Sequence, residues 1–374
     1  MNDARAPLIV LATGGTGGHV FPAEALAVEL AARDCRLALV TDRRGGAFSG
    51  FLGDLDTYRV RAGGVAGKRF VALLQSGTEL AIGLFQAHRI LKRLRPAVVV
   101  GFGGYASVPT MLAAGFGGFA TALHEQNAVL GRANRLLASR VRRIATCFDV
   151  VEGLDPQNAD KVVRTGMPVR PAVLRMRQRP YPPLTDEGPV ELLVIGGSQG
   201  ARVLSDVVPA AIGRLDEGLR QRLRITQQCR PEDLDRVTAA YREIGVAAEL
   251  NSFFADVPER LAACHMLIGR SGASTVAEVT AVGRPSILVP YPHAIDNHQD
   301  RNAHAVDAAG AGWLIPEQAF TPAGLAARLD SLIGLPAILT RAAASAKNIG
   351  RPDAASALAD MVCGLIDSPE RMAA

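Results

Sequence analysis

Apolar residues along this chain fall into short unbroken runs, separated by longer stretches in which they recur at helical spacing. "LIVLAT" (Leu8–Thr13) is the first such run and reads as a strand. The helix after it is expected to start near Pro22, since proline suits a first helical turn. "RLALVT" (Arg36–Thr41), Ala97–Val100, "TALHEQN" from Thr121 and "RRIATC" from Arg142 read as further strands, with helical segments between them. Strands alternating with helices predict a parallel sheet covered on both faces.

The texture changes between Pro168 and Pro189, where six prolines make a poor helix and a poor strand. That stretch is read as the domain boundary. The pattern then restarts: "VELLVIGG" (Val190–Gly197) is a strand, "SQGA" a tight loop and "RVLSDVVPAAIGRL" a helix. "LRITQQ", "AAELNSF", "HMLIGRSG" and "PSILVP" follow as strands. Two βα domains result, each opening with a strand and a glycine-rich turn. Ligands of such sheets bind at the carboxyl ends of the strands, which predicts a site in a cleft between the two domains.

Composition changes this picture little. With 374 residues, 48% hydrophobic and 21% charged, the chain has the make-up of a two-domain globular protein. The first residues, "MNDARAPLIVLATGG", do not form a secretory signal. The uncharged stretch between Arg95 and His124 contains six glycines and two prolines, so it reads as strand, loop and buried helix rather than as a membrane span. Five scattered cysteines without a CxxC pair read as reduced core thiols, not as a disulfide frame or a zinc site.

Charge placement says more. Residues 1–165 carry 20 Lys and Arg against 13 Asp and Glu, whereas the remainder carries 21 against 23. Eight of the basic residues lie between 59 and 95 beside the single acid Glu79. A basic N-terminal half suggests an anionic partner. The segment "KRFVALLQSGTELAIGLFQAHRILKRLRP" has Phe70, Leu73, Leu80, Leu84 and Leu91 near helical spacing, with Ile82 and Phe85 off that stripe. It reads either as a core-facing helix or as a surface helix resting on anionic lipid, with Lys68, Arg69, Leu80, Leu84, Phe85, Arg89, Lys92 and Arg93 as its membrane face. Nucleic acid is not expected: few aromatics interleave the basic cluster and no nucleic-acid fold signature appears.

Four glycine-rich loops follow strands and precede helices: Gly14–His19, Gly101–Ser107, Gly196–Ala201 and Gly269–Thr275. A tight strand-to-helix turn explains one such loop as well as ligand binding does. Four together favour binding of phosphate or sugar by backbone and helix N-termini. "GGVAGKR" has the wrong spacing for a Walker loop. "GFGGYA" fits a loose dinucleotide pattern, but no acidic residue clearly ends a following strand, so a nicotinamide enzyme stays an alternative. His293, His298 and His304 read as loop histidines and no metal site is expected.

His19 falls at a helix start, where the dipole opposes protonation, and is the candidate general base; a structural loop histidine is the other reading. Glu125 ends a strand and is the alternative base. Asn127 suits sugar hydroxyls, and Glu278, one turn into a helix beginning near Ala273, suits a ribose diol.

"GGTGGHVFP", "GFGGYASVP", "HEQNAVLGRANR", "GMPVR", "GGSQGA", "RSGASTVAE" and "DNHQDRNA" occur in the order seen in the MurG family of peptidoglycan glycosyltransferases, and the chain resembles that family from about residue 8 to residue 350. The resemblance implies a GT-B fold of two Rossmann-like doubly wound parallel-sheet domains: an acceptor and membrane-facing domain over 1–167, a linker over 168–189, and a nucleotide-sugar domain over 190–350. Residues 351–374 are expected to form a helix packing back towards the first domain. The implied reaction moves N-acetylglucosamine from UDP-N-acetylglucosamine to the C4 hydroxyl of undecaprenyl-linked lipid I with inversion, and without a tightly bound cofactor.

Carried across by motif, Thr16, Gly17, Gly18, Asn127, Arg170, Ser198, Phe254, Ala273, Ser274, Thr275, Glu278 and Gln299 are implied donor contacts. Phe254 acts through its backbone, Glu278 on the ribose and Gln299 on the sugar hydroxyls. Gly14, Gly15, Gly103, Gly104 and Tyr105 are implied to cradle the acceptor diphosphate. The cytoplasmic face of the inner membrane is the implied location, with the cell-wall and division machinery as implied partners. Two departures stand out: Met167 where the family often has Asn, and Phe254 where a smaller aliphatic residue is common. Another GT-B transferase with a different lipid acceptor, a UDP-N-acetylglucosamine 2-epimerase and a non-catalytic nucleotide binder remain open alternatives.

Overall fold

The structure is a computed structural model and describes residues 6–14, 17–42, 48, 50–62, 70–197 and 200–366. The chain divides into two compact units: residues up to Pro168 together with those from Asp353 on, and Val169–Pro352.

The first unit is a seven-stranded parallel sheet. Its strands are β1 (Leu8–Ala12), β2 (Arg36–Asp42), β3 (Thr57–Val60), β4 (Val98–Gly101), β5 (Ala120–Glu125), β6 (Arg143–Thr146) and β7 (Val162–Arg164), in the spatial order β3-β2-β1-β4-β5-β6-β7. Strands β1, β4 and β5 are buried throughout, because helices cover both faces. Those helices are α1 (Gly17–Ala31), α2 (Phe70–Leu94), α3 (Val108–Phe116) and α4 (Arg132–Leu137). Helix α1 starts at Gly17 rather than at Pro22, which lies inside it. Pro22 has no N–H to donate to Gly18 O, so α1 lacks one bond of its ladder at the second turn.

The second unit contains α5 (Pro171–Met176), β8 (Val190–Ile195), α6 (Arg202–Ile212), α7 (Glu217–Arg222), β9 (Leu223–Gln228), α8 (Leu234–Glu243), β10 (Ala247–Asn251) and α9 (Val257–Ala263). It continues with β11 (Met266–Gly269), α10 (Ala273–Val282), β12 (Ser286–Leu288), α11 (His298–Ala308), β13 (Gly312–Leu314), α12 (Pro322–Ile333) and α13 (Pro336–Ile349). The six strands run parallel in the order β10-β9-β8-β11-β12-β13.

The proline-rich stretch is not a free linker. Pro171 opens the short helix α5, and the rest is bonded to the second unit: Arg177 donates to Ala281 O and Lys347 O, the Tyr181 hydroxyl to His265 O, and Arg284 to Pro180 O. Prolines set the local path, while arginine and tyrosine donors reaching nearby backbone carbonyls fix it to the sheet. The last helix, α14 (Ala354–Gly364), belongs to the first unit and packs on α1, burying Leu358, Ala359 and Val362.

Among the described residues no single helix is long and apolar enough to cross a membrane. In α2, Leu80 and Leu84 pack against the core and Leu91 is fully buried. The first two therefore leave the expected membrane face, because the helical stripe that carries them is the one turned towards α3 and the sheet. Phe85, Arg89, Lys92 and Arg93 remain exposed. Lys68 and Arg69 lie outside the described residues.

Candidate active site

In the first unit β1 and β4 are neighbours whose outgoing connections lead to opposite sides, so their carboxyl ends form a topological switch point. Gly14 lies beside Ala106, which brings the loop after β1 against the loop after β4. His19, in the first turn of α1, lies over the backbone of Gly103 and Gly104. A methyl group built on Gly104 would stand 3.4 Å from His19 Nε2, and one on Gly103 3.4 Å from His19 Cε1. Both glycines have positive φ, 84° and 71°, so backbone conformation and proximity to the ring both favour glycine there. Tyr105 next to them is exposed. Gly15 and Thr16 lie outside the described residues.

Beneath this loop is a buried polar layer. His124 Nε2 donates to Gly166 O at 3.3 Å, which leaves Nδ1 to accept from Gln126 Nε2 at 3.1 Å. The Gln126 amide also donates to Phe102 O at 2.9 Å and so ties β5 to the loop after β4. Burial lowers the pKa of His124 to about 4, and the nearby His19 ring pushes in the same direction. The imidazole is therefore neutral.

Glu125 is 1% exposed. Its Oε1 accepts from Asn127 N at 3.0 Å and Asn127 Nδ2 at 3.4 Å; its Oε2 accepts from Gly131 N at 2.9 Å and Asn134 Nδ2 at 2.8 Å. Burial raises its pKa, and these donors work against that rise. A carboxylate holding four donors organises the 127–134 segment, and it has little capacity left for taking a substrate proton. Asn134, which also borders Gly103, joins that segment to the glycine loop.

The second unit repeats the arrangement at β8 and β11. A methyl group on Gly196 would fall 2.3 Å from Ala201 N, so only glycine fits that turn. Helices α6 and α10 begin at this point, behind Ala201 and Gly272, and neither start receives a side-chain cap among the described residues. Their first-turn N–H groups are suited to an anion. Ser198 lies outside the described residues.

Arg170 and Glu278 meet in a two-pronged ion pair: Nε to Oε1 and Nη2 to Oε2, both 3.1 Å. Burial raises the Glu278 pKa and Arg170 opposes it. Its carboxylate retains lone pairs for further donors. Ser271 donates to Gln299 O at 2.8 Å, joining the loop after β11 to α11. The N–H of Tyr291 donates to Gln299 Oε1 at 3.0 Å. That contact fixes the amide so that its NH2, unpartnered among the described residues, is left to donate. His298 and His304 belong to helix α11 rather than to a loop, and only His293 lies in one. Helical pairing explains the difference: His304 and Asp300 are one turn apart on α11, 3.5 Å from each other.

Phe254 is buried, with Arg260 stacked on its ring at 4.4 Å while forking onto Glu249 and Asp256. The two most exposed aromatics among the described residues escaped the sequence reading: Phe253, 70% exposed beside Phe254, and Phe116, 71% exposed at the end of α3. The "FF" doublet was a usable signal, since two adjacent side chains at a strand end rarely bury together. Phe116 gave none, because it sits in the apolar stretch that reads as core. Among the described residues no group of three or more His, Cys, Asp or Glu is placed to hold a metal ion.

Residues 9–146 match the glycosyltransferase family 28 N-terminal domain and residues 191–358 its C-terminal domain. The chain is 62% identical over 364 residues, 97% of its length and 98% of the relative's, to the UDP-N-acetylglucosamine--N-acetylmuramyl-(pentapeptide) pyrophosphoryl-undecaprenol N-acetylglucosamine transferase of Paramagnetospirillum magneticum. A crystal structure of Acinetobacter baumannii MurG superposes with a TM-score of 0.77 at 26% identity, covering 96% of this chain and 99% of that one. A UDP-GlcNAc 2-epimerase from Neisseria meningitidis shares the fold, with a TM-score of 0.64 at 12% identity, covering 96% of this chain and 100% of that one. Two parallel-sheet units with glycine turns at their switch points are thus the GT-B architecture, and the chain belongs to glycosyltransferase family 28, among the MurG transferases.

Proposed function

We infer that this chain transfers N-acetylglucosamine from UDP-N-acetylglucosamine to lipid I, giving lipid II. The observation that carries this is the 62% identity over nearly the full length of a transferase named for that reaction. UDP-N-acetylglucosamine is a substrate; the family uses no bound cofactor.

We propose the following roles. The muramyl C4 hydroxyl attacks the anomeric carbon as the bond to UDP breaks, and His19 takes the hydroxyl proton. The His19 ring is supported by Gly103 and Gly104 and backed by a neutral His124, so one imidazole can change charge without a second cation beneath it. Glu125, saturated by its four donors, braces the loop, which favours His19 over Glu125 as base. Gly14, Gly15, Gly103, Gly104 and Tyr105 present backbone and a phenol to the acceptor diphosphate.

On the second unit, the free N–H groups at the starts of α6 and α10 receive the charge that develops on UDP as it leaves. Ala273, Ser274 and Thr275 open α10, and Ser198 precedes α6 in the sequence. Glu278, oriented by Arg170, accepts from the ribose diol. The Gln299 amide donates to a sugar hydroxyl. The backbone at Phe254 reads the base while its ring stays under Arg260. Thr16, Gly17, Gly18 and Asn127 complete the donor contacts.

Phe85 and Phe116, with Arg89, Lys92 and Arg93, offer an apolar and basic face to an anionic membrane, at the cytoplasmic side of the inner membrane. Helices α2 and α3, which carry these residues, pack on one another. The deciding experiment is UDP release from UDP-N-acetylglucosamine with and without a lipid I analogue, with mass analysis of the product. Acceptor-dependent release with a disaccharide-lipid product is expected; acceptor-independent turnover would instead mark an epimerase or hydrolase.

A further inference from the structure

Helix α14 closes the first unit, and its partner surface is the end of α1 with the entry to β2. Arg33 bonds three groups on one face of α14: Asp360 Oδ1 at 2.6 Å, Ser356 Oγ at 2.9 Å and Ser356 O at 3.3 Å. Cys363 continues that face, one turn beyond Asp360. Cys35 lies two residues after Arg33, where the chain enters β2. Both sulfurs pack against the same hydrophobic cluster, beside Leu26, Leu30, Leu358 and Val362. The Cys35 thiol donates to Arg33 O at 3.8 Å, and both Cys35 and Arg33 lie close enough to Cys363 to interact with its sulfur electrostatically.

Three of the five cysteines, Cys35, Cys147 and Cys363, are half-buried rather than core residues as expected from sequence; Cys229 and Cys264 are buried. Cys147 lies beside the buried His124, 3.5 Å from its Nε2. Cys35 and Cys363 are far apart in sequence, adjacent in space and partly open to solvent.

We propose that Cys35 and Cys363 form a reversible disulfide that staples the C-terminal helix to the first unit. The oxidant is a small-molecule disulfide, RSSR. The Cys363 thiolate, beside Arg33, attacks one sulfur and expels RS⁻, leaving a mixed disulfide. Cys35 then loses its proton and attacks the Cys363 sulfur, expelling the second RS⁻. Two protein thiols become one disulfide, and RSSR becomes two RSH that carry the two thiol protons. Burial raises the Cys35 pKa, which suits it to the slower, resolving step. The loop closed spans nearly the whole chain, the case in which cross-linking most restricts the unfolded state.

The full-length protein is incubated with oxidised glutathione at graded ratios to reduced glutathione, quenched with an alkylating reagent, digested without reduction and weighed by mass spectrometry. A Cys35–Cys363 cross-linked peptide is expected, with Cys147, Cys229 and Cys264 left as thiols. The oxidised protein is expected to unfold about 5 °C or more above the reduced one, a difference that dithiothreitol abolishes. Cys35→Ser is expected to stop at a glutathione adduct on Cys363, 305 Da being roughly the mass of one glutathionyl group. Full alkylation of both thiols after oxidation overturns the proposal, as does a wild-type adduct on Cys363 that does not resolve. A cross-link that leaves the unfolding temperature unchanged overturns the staple.

Discussion

Both units place glycine turns and helix starts at the switch point of a parallel sheet, yet they surround that point with opposite chemistry. In the first unit the layer beneath the loops is neutral: His124, Gln126 and Asn134 are buried and joined by uncharged hydrogen bonds, and the Glu125 carboxylate beside them is saturated. In the second unit charges meet in pairs: Arg170 with Glu278, Arg270 with Glu317 and Arg260 with Glu249. A nucleotide diphosphate carries permanent charge, so fixed charges and dipoles can be arranged around it in advance. A proton-transfer site works the other way. One group must gain charge during the reaction, and a second cation beneath it would raise the barrier.

The sharpest way to break that contrast is His19→Ala. If the first unit houses proton transfer, kcat for the lipid I analogue falls by about 10²–10⁴-fold with the donor KM changed less than threefold, and the acidic limb of the pH–rate profile disappears. Near-normal kcat with the same profile would make the first unit a binding surface only.

The neutrality of the layer has its own test in stability. His124 titrates at about 4 in the folded chain, whereas an unfolded histidine titrates near 6.5. Between those values the unfolded state binds more protons, so stability is lost as pH falls through that window and is fully present above it. The full difference is on the order of 3 kcal/mol. Denaturation of wild type and His124→Asn at pH 7 and pH 5 is expected to show a wild-type loss about 2 kcal/mol larger than that of the variant. Equal losses would mean that His124 is not held neutral.

How much of this was legible in the sequence follows from the range of each signal. The buried central strands were readable because covering both faces makes them continuous apolar runs, as in Leu8–Ala12. The edge strands β3 and β7 and the short β13 were not, since Thr57–Val60 and Val162–Arg164 are part-exposed, of mixed polarity and short. The glycine loops were legible as anion-binding turns. That His19 would lie on Gly103 and Gly104 was not, because sheet order and not sequence distance brings β1 beside β4. Arg170 and Glu278, more than a hundred residues apart, pair for the same kind of reason. Glu125 shows the opposite limit: its position at a strand end was readable, but only the 127–134 fold-back reveals that its oxygens are already occupied.

A smaller effect sharpens the second unit's side of the contrast. Glu278→Gln keeps an acceptor for Arg170 but removes the charge, and Arg170 is part-exposed, so solvent softens the loss. Donor KM is expected to rise about tenfold, in line with losing a charge-assisted bond to the ribose, while kcat changes less than threefold. A fall in kcat with unchanged KM would place Glu278 in the chemistry and erase the division of labour between the units.

The smallest effect tests whether the two units differ in what they face. Arg89 is exposed on α2 beside Phe85, over whose ring it lies at 5.8 Å. Arg328 is also exposed, on α12 of the second unit. A basic residue near an anionic surface contributes about 1 kcal/mol, roughly a fivefold change in binding. Flotation with phosphatidylglycerol-rich vesicles is expected to weaken about fivefold for Arg89→Gln and not for Arg328→Gln, and added salt should narrow the gap as screening sets in. Equal losses for the two variants would mean that net charge alone draws the chain to lipid. In that case the basic excess of the first unit would be a solubility feature rather than a docking face.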